Sequence, residues 1–188
     1  MTDLEGYLMI DAKLKRVMLK LARDTITHVE DHAALDELRK RPIVKMESGV
    51  FVSVYVQDDL RGCIGNLDSR DVHESIIRNA LYAAYHDSRF PPIRPDEYSS
   101  MKVHVNILTK PSPLIYKNAD DLVGKIKNKG ITIHRGNHEA TFLPSVWEQL
   151  PVPEEFLGHL CMKAGLPPGD WKQPGLSVEY YESEEFSE

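Results

Sequence analysis

Gly49-Val50-Phe51-Val52-Ser53-Val54-Tyr55-Val56-Gln57-Asp58-Asp59-Leu60-Arg61-Gly62-Cys63-Ile64-Gly65 decides the fold. Its first eight residues are rich in β-branched and aromatic side chains, which suit a pleated, half-buried strand. Gln57-Asp58-Asp59 carries turn chemistry, and Leu60 to Ile64 reads as the return strand of a hairpin. A hairpin is antiparallel by construction, so it points to an α+β protein rather than a doubly wound parallel sheet. The return strand holds a cysteine between two glycines. Glycine in a strand marks a bend or a close backbone approach, so Cys63 is expected near the strand's end, beside exposed amides.

Working outward, helices flank the hairpin. Leu14, Val17, Met18, Leu21 and Ala22 recur at helical spacing within Leu8 to Val29. A short helix over Asp36 to Arg39 is stopped by Pro42. After the hairpin, Asn66 to Ser69 reads as a loop. Asp71 then caps a helix from Val72 to His86, with Glu74 placed for a capping box. Asp87-Ser88-Arg89-Phe90-Pro91-Pro92 cannot continue a helix and reads as a rigid loop. Lys102 to Leu108 alternates apolar and polar residues, as a half-buried strand does.

Past Lys110-Pro111-Ser112-Pro113, a helix is expected over Ala119 to Lys127. A second hairpin joins Gly130–His134 to Glu139–Leu143. Pro144 opens a short helix, and another helix runs from Pro153 to Ala164 and ends at Gly165. Leu176 to Tyr181 is a last strand, expected in the main sheet, and the acidic stretch Glu182 to Glu188 reads as a frayed tail.

Composition bounds the function. The chain has 188 residues, 28% of them charged, and a formal net charge of −6. That balance gives no electrostatic footprint for a nucleic-acid backbone. The short Arg39-Lys40-Arg41 cluster suits a helix C-terminus better than a phosphate. There is no apolar stretch of membrane-spanning length, and the N-terminus lacks the pattern of a signal peptide. Two cysteines, Cys63 and Cys161, are too few for a disulfide framework. A reduced, cytoplasmic protein is the simplest expectation.

Cys63 leads the candidate chemistry, because a thiolate is both a nucleophile and a metal ligand. Arg61 and Arg89 are the cations that motif places with it, and Gly62 and Gly65 bring amides. The same residues also read as a small buried thiol at a tight bend, or as a glycine-rich anion-binding turn. A nucleophilic cysteine needs a base. His86, His104, His134 and His138 are available, and nothing local selects among them. His28 and His32 are four apart, which would place them on one helix face, but no third metal ligand accompanies them. Arg89 either positions something or locks its loop to Asp87. No metal set and no cofactor can be read from the residues.

Leu60-Arg61-Gly62-Cys63-Ile64-Gly65, then Asp87-Ser88-Arg89-Phe90-Pro91-Pro92, then Ala140-Thr141-Phe142-Leu143-Pro144 with Val146-Trp147-Glu148-Gln149-Leu150-Pro151 resemble the AMMECR domain family, whose prokaryotic members are called AmmeMemoRadiSam system protein A. The resemblance is clear from Gly49 to Trp171. It implies a single AMMECR domain over residues 1–188, with a larger lobe that holds both termini, a mainly antiparallel sheet with packed helices, a smaller lobe and a cleft between them. It implies Memo-like and radical-SAM proteins as cellular company, and no particular reaction. What it carries over is Cys63 as the candidate catalytic residue and Arg61, Gly62, Gly65 and Arg89 as candidate substrate-binding residues. Where some relatives have a His-Gly step before the second hairpin, this chain has Lys129-Gly130. An enzyme or enzyme component acting on a small anionic substrate, and a non-catalytic partner protein, are the two functions compatible with these residues.

Overall fold

Asp11 opens the first helix: its carboxylate accepts the Leu14 amide at 2.7 Å, the bond that makes aspartate a good N-cap. The computed structural model describes residues 10–40 and 42–188. In chain order the elements are α1 (Ala12–Thr27), α2 (His32–Lys40), β1 (Glu47–Val56), β2 (Asp59–Asp71), α3 (Val72–Tyr85), β3 (Met101–Leu108), β4 (Ser112–Pro113), α4 (Ala119–Ile126), β5 (Gly130–Arg135), β6 (His138–Phe142), α5 (Pro153–Lys163), β7 (Ser177–Tyr181) and β8 (Ser183–Ser187). Among the described residues they build an α+β protein with two antiparallel sheets, ordered β2-β1-β3-β8 and β4-β7-β5-β6. The chain divides into two compact units. One takes the described residues up to Thr109 together with Glu184–Glu188, and the other is Lys110–Ser183. No helix among the described residues is long and apolar enough to cross a membrane.

In the first unit, alternation gives the sheet two unlike faces. Val50, Val52 and Val54 of β1 line up with Asn66, Ile64 and Gly62 of β2, and with Ile107, Val105 and Val103 of β3. All three valines are fully buried, in one cluster with Met18, Leu21, Ala22 and Ile26 of α1 and Ile76, Ile77, Ala80 and Ala84 of α3. Each such side chain contributes about 1.5–3 kcal/mol by leaving water, well above the ~0–1 kcal/mol of an exposed ion pair. This face therefore sets the pairing register. The opposite face carries Phe51, Ser53 and Tyr55, all half-buried. Gln57 and Asp58 both have positive φ, 52° and 69°, and they form the two-residue loop closed by Val56 and Asp59. That is the turn geometry that matches strand twist.

In the second unit, Ile131 and Ile133 of β5 and Val178 of β7 pack with Leu122 and Ile126 of α4 and Phe156, Leu157, Leu160 and Cys161 of α5. Trp147 stacks on Phe156 at 4.0 Å, and its indole N–H donates to the Lys129 carbonyl. Gly165 ends α5 with φ 76°. The Leu166 amide then bonds Cys161 O and the Gly165 amide bonds Met162 O, the paired bonds of a Schellman cap.

Several expectations are corrected. The loop expected at Asn66–Ser69 belongs to β2, which runs on to pair Arg70 with Ser48 and Asp71 with Glu47. Only Gly49 stands opposite Leu67, Asp68 and Ser69, so the polar run is a bulge inside a strand. Cys63 consequently lies in mid-strand rather than near its end. The helix expected to begin at Leu8 starts at Ala12, and residues 8 and 9 lie outside the described residues. The helix expected from Asp36 begins at His32, where the Asp31 carboxylate accepts the Ala34 amide. Because α1 ends at Thr27, His28 is its C-cap and His32 opens α2, so the two share no helix face. The short helix expected at Pro144 is present, as a 3-10 helix over Pro144–Glu148. Leu176 to Tyr181 contributes β7, which pairs with β4 and β5 in the second sheet instead of joining the first.

The acidic tail is not frayed: it forms β8, beside β3. Its charges are met by Lys15 on Glu184, His104 on Glu185 and Arg23 on Glu188, so residues that read as solvated are paired. Deleting Glu184–Glu188 is expected to destabilise the protein by at least about 2 kcal/mol, since several ladder and side-chain bonds of ~1 kcal/mol each are lost. A urea midpoint unchanged by the deletion would show that β8 adds nothing to the sheet.

Candidate functional site

The site begins with two glycines that face opposite ways. Gly62 points at α3, and a Cβ there would stand 1.8 Å from the Ala83 carbonyl oxygen. Gly65 lies opposite Phe51, where a Cβ would come within 2.2 Å of the Phe51 ring. One glycine lets the helix approach the strand, and the other lets an aromatic ring lie across it. Cys63 sits between them on the open face, half-exposed and opposite Ser53.

β2 is an edge strand, so its outward backbone groups need other partners. At Cys63 a side-chain pair supplies them. The Cys63 amide donates to Asp87 Oδ2 at 2.9 Å, and the Cys63 carbonyl accepts from Arg89 Nη2 at 3.1 Å. Asp87 in turn accepts Arg89 Nε at 2.9 Å and Nη2 at 2.7 Å, as well as the Arg89 amide. The Asp87 side chain is 4% exposed and that of Arg89 is 58% exposed. The carboxylate is thus the buried anchor, and the guanidinium is fixed from behind and open in front. Arg89's hydrogen bonds outweigh the cost of burial and, with the two amides, hold the Asp87 carboxyl well below the usual carboxylate range. Hydrogen bonding to Asp87 raises the proton affinity of Arg89 most, against the cost of burial.

Arg61 is placed differently. Its guanidinium grips the Glu97 carboxylate through both terminal nitrogens and reaches the Pro91 carbonyl, and its side chain is only 18% exposed. Arg61 also draws the Glu97 carboxyl below its ordinary range. Of the residues singled out by sequence, the fold therefore brings Cys63 and Arg89 together, engages Arg61 with Glu97, turns Gly62 to the helix and sets Gly65 under Phe51.

Register also brings residues to Cys63 that the motif does not contain. Ser53 is opposite Cys63 on one side and opposite His104 of β3 on the other. The His104 ring lies 4.5 Å from the Tyr55 ring, and its Nδ1 is 2.9 Å from Glu185 Oε1 of β8. Tyr55's hydroxyl is made less acidic by burial first, then by the charges of Glu185 and Cys63. A single row, Cys63, Ser53, His104, Glu185, thus crosses four strands on one face. Among the other histidines considered, His86 ends α3, His134 faces Glu179 and Glu139, and His138 bonds the Ala164 carbonyl. The alternation of Lys102, His104 and Asn106 was the available signal, but it gives a face and not a partner. Cys161 is fully buried, and burial pushes its thiol up. No cluster of three or more His, Cys, Asp or Glu side chains suited to a metal occurs among the described residues.

Fold and site together define a class: an α+β protein of two antiparallel-sheet units, with a glycine-flanked thiol on an edge strand pinned by an Asp–Arg pair. The AMMECR1 family model matches residues 19–186, and the chain belongs to the AMMECR1 family. It is 37% identical over 183 residues to Protein MK0488 of Methanopyrus kandleri, covering 91% of this chain and 86% of that protein. It is 36% identical over 198 residues to Protein Mbar_A1807 of Methanosarcina barkeri, covering 100% and 92%. The crystal structure of the uncharacterized protein PH0010 from Pyrococcus horikoshii superposes with a TM-score of 0.75 at 29% identity, over 95% of this chain and 93% of that one.

Proposed function

We propose that the protein is an enzyme, or the working part of one, that uses the Cys63 thiol on a small anionic substrate. One observation carries this reading. Half-exposed Cys63 has its own backbone carbonyl bonded by a guanidinium that Asp87 holds in place. A cation fixed before the substrate arrives stabilises negative charge without reorganising, whether that charge is on a thiolate or on the substrate. Arg89 would hold the anion and Cys63 would present its thiol to it. Arg61, occupied by Glu97, braces the strand. The glycines serve as conformational devices.

The test is alkylation of Cys63 by iodoacetamide in a Cys161→Ser background. At pH 7 the native protein is expected to react about ten-fold faster than the same protein in denaturant, because the thiolate is the reacting form. Cys63→Ser is expected to abolish this reaction and leave the urea midpoint nearly unchanged. A thiol that reacts only after unfolding, or a serine variant that precipitates, would make Cys63 structural. The non-catalytic alternative, a partner protein working with Memo-like or radical-SAM proteins, would then take over.

A further inference from the structure

We infer that His104, oriented by Glu185, is the proton acceptor for the Cys63 thiol, with the Ser53 hydroxyl as the relay between them. This rests on the reading of Cys63 as a working thiol. The argument is one of register. Cys63 and His104 each face Ser53 across a strand boundary, and side chains directly opposite on one face have Cβ atoms about 4.5–5.5 Å apart. Two strand spacings, about 9.5 Å, separate the backbones of Cys63 and His104. A direct sulfur-to-imidazole bond is therefore out of reach, and the Ser53 hydroxyl, midway in register, bridges the two only when turned toward both.

The tautomer follows from the far end of the row. Glu185 accepts at Nδ1, so that nitrogen carries the hydrogen and Nε2 keeps the lone pair. Glu185 takes Nδ1, so Nε2 is the ring nitrogen left to accept a proton. Tyr55 packs against the same ring and limits its rotation. The transfer is balanced. The Cys63 S–H proton passes to Ser53 Oγ as the Ser53 proton passes to His104 Nε2. A thiolate, an intact hydroxyl and an imidazolium result, with no electrons gained or lost. Glu185 bonds the ring that becomes positive, and Arg89 bonds the backbone carbonyl of the residue that becomes negative.

Other charged groups border this patch: Tyr55 on β1, Arg61 on β2, Lys102 on β3, Glu185 on β8, and Asp87 and Arg89 on the loop after α3. Lys102 is paired with Asp58, Arg61 with Glu97 and Arg89 with Asp87. His104 is the member of the set whose side-chain type changes charge near neutral pH.

The experiment measures Cys63 alkylation from pH 5 to 9, in the Cys161→Ser background, for the parent and for His104→Gln, Ser53→Ala and Glu185→Gln. His104→Gln and Ser53→Ala are each expected to slow the reaction about ten-fold at pH 7 and to flatten its rise across the range where histidine titrates. Glu185→Gln is expected to slow it about three-fold and to move that rise to lower pH, since an adjacent carboxylate favours the imidazolium. A second measurement does not depend on those variants folding. The His104 ring titration, followed by NMR, is expected to move to lower pH in Cys63→Ala, because two coupled sites must each respond to the loss of the other. A fast parent whose rate and pH profile survive His104→Gln would overturn the relay and leave the Cys63 reading standing on Arg89 alone. A thiol inert in the folded parent would overturn both.

Discussion

Gly62→Ala is expected to lose at least about 3 kcal/mol of stability, enough to leave the first unit largely unfolded at modest urea. The added methyl would stand 1.8 Å from Ala83 O and 2.7 Å from Ala83 C. Both are main-chain atoms inside α3, so no side-chain rotation can relieve the contact. Overpacking usually costs about 1–3 kcal/mol when rotamers can adjust. Here the whole helix must lift, and Ile76, Ile77, Ala80 and Ala84 leave the core with it. Measured against a typical total of about 5–15 kcal/mol, that loss is severe. Gly124→Ala is the control: in α4 its Cβ would meet nothing within 4 Å, and alanine favours a helix interior by up to about 1 kcal/mol. If both substitutions shift the urea midpoint equally, the close approach of α3 to β2 is wrong.

Asp87→Ala is expected to cost about 2–4 kcal/mol and to slow Cys63 alkylation. It removes the acceptor of the Cys63 amide and of three Arg89 donors. A buried donor left unpaired costs about 1–3 kcal/mol, and Arg89 loses its anchor. Asp87→Asn keeps the shape without the charge and should fall between parent and alanine. The pH dependence has a definite sign. The folded carboxyl titrates below its ordinary value of 3.8, so the unfolded chain binds more protons there, and stability rises with pH. The contribution is complete above the usual carboxylate range and is lost as pH falls through it toward the depressed folded value. Urea midpoints measured from pH 2 to 7 should therefore fall more steeply at the acid end in the parent than in Asp87→Ala. Parallel curves would mean that Asp87 is not the buried anion.

What the sequence yields about this fold depends on range. Val50, Val52, Val54 and Val56 alternate with half-buried neighbours, so β1 and its hairpin are legible locally. The Asp71 cap and the Gly165 stop are equally local. β8 is not: its glutamates look solvated until Lys15 and Arg23, far away in sequence, are placed beside them. Asn66–Ser69 reads as a loop because a bulge has the composition of one.

The site divides in the same way. Cys63 and Arg89 stand out because glycines and prolines mark their backbones. Arg61 looks like a free cation because Glu97, which binds it, lies 36 residues along the chain. His104 is indistinguishable from three other histidines until the pairing of β1 with β3 is known, and that pairing is set by packing across strands rather than by any local pattern.

The position of β8 has a consequence for how a nascent chain acquires this structure. Lys110–Ser183 is translated in full before Glu184–Glu188 exists. At about 5–20 residues per second, synthesis of that segment takes roughly 4–15 s. Throughout that interval the second unit gains everything it needs, while the first waits for its fourth strand with the edge of β3 bare, the state that invites pairing between neighbouring chains on a polysome. Glu185, the partner of His104, arrives with the same few residues. A ribosome-bound chain therefore carries Cys63 before it carries the complete row beside it.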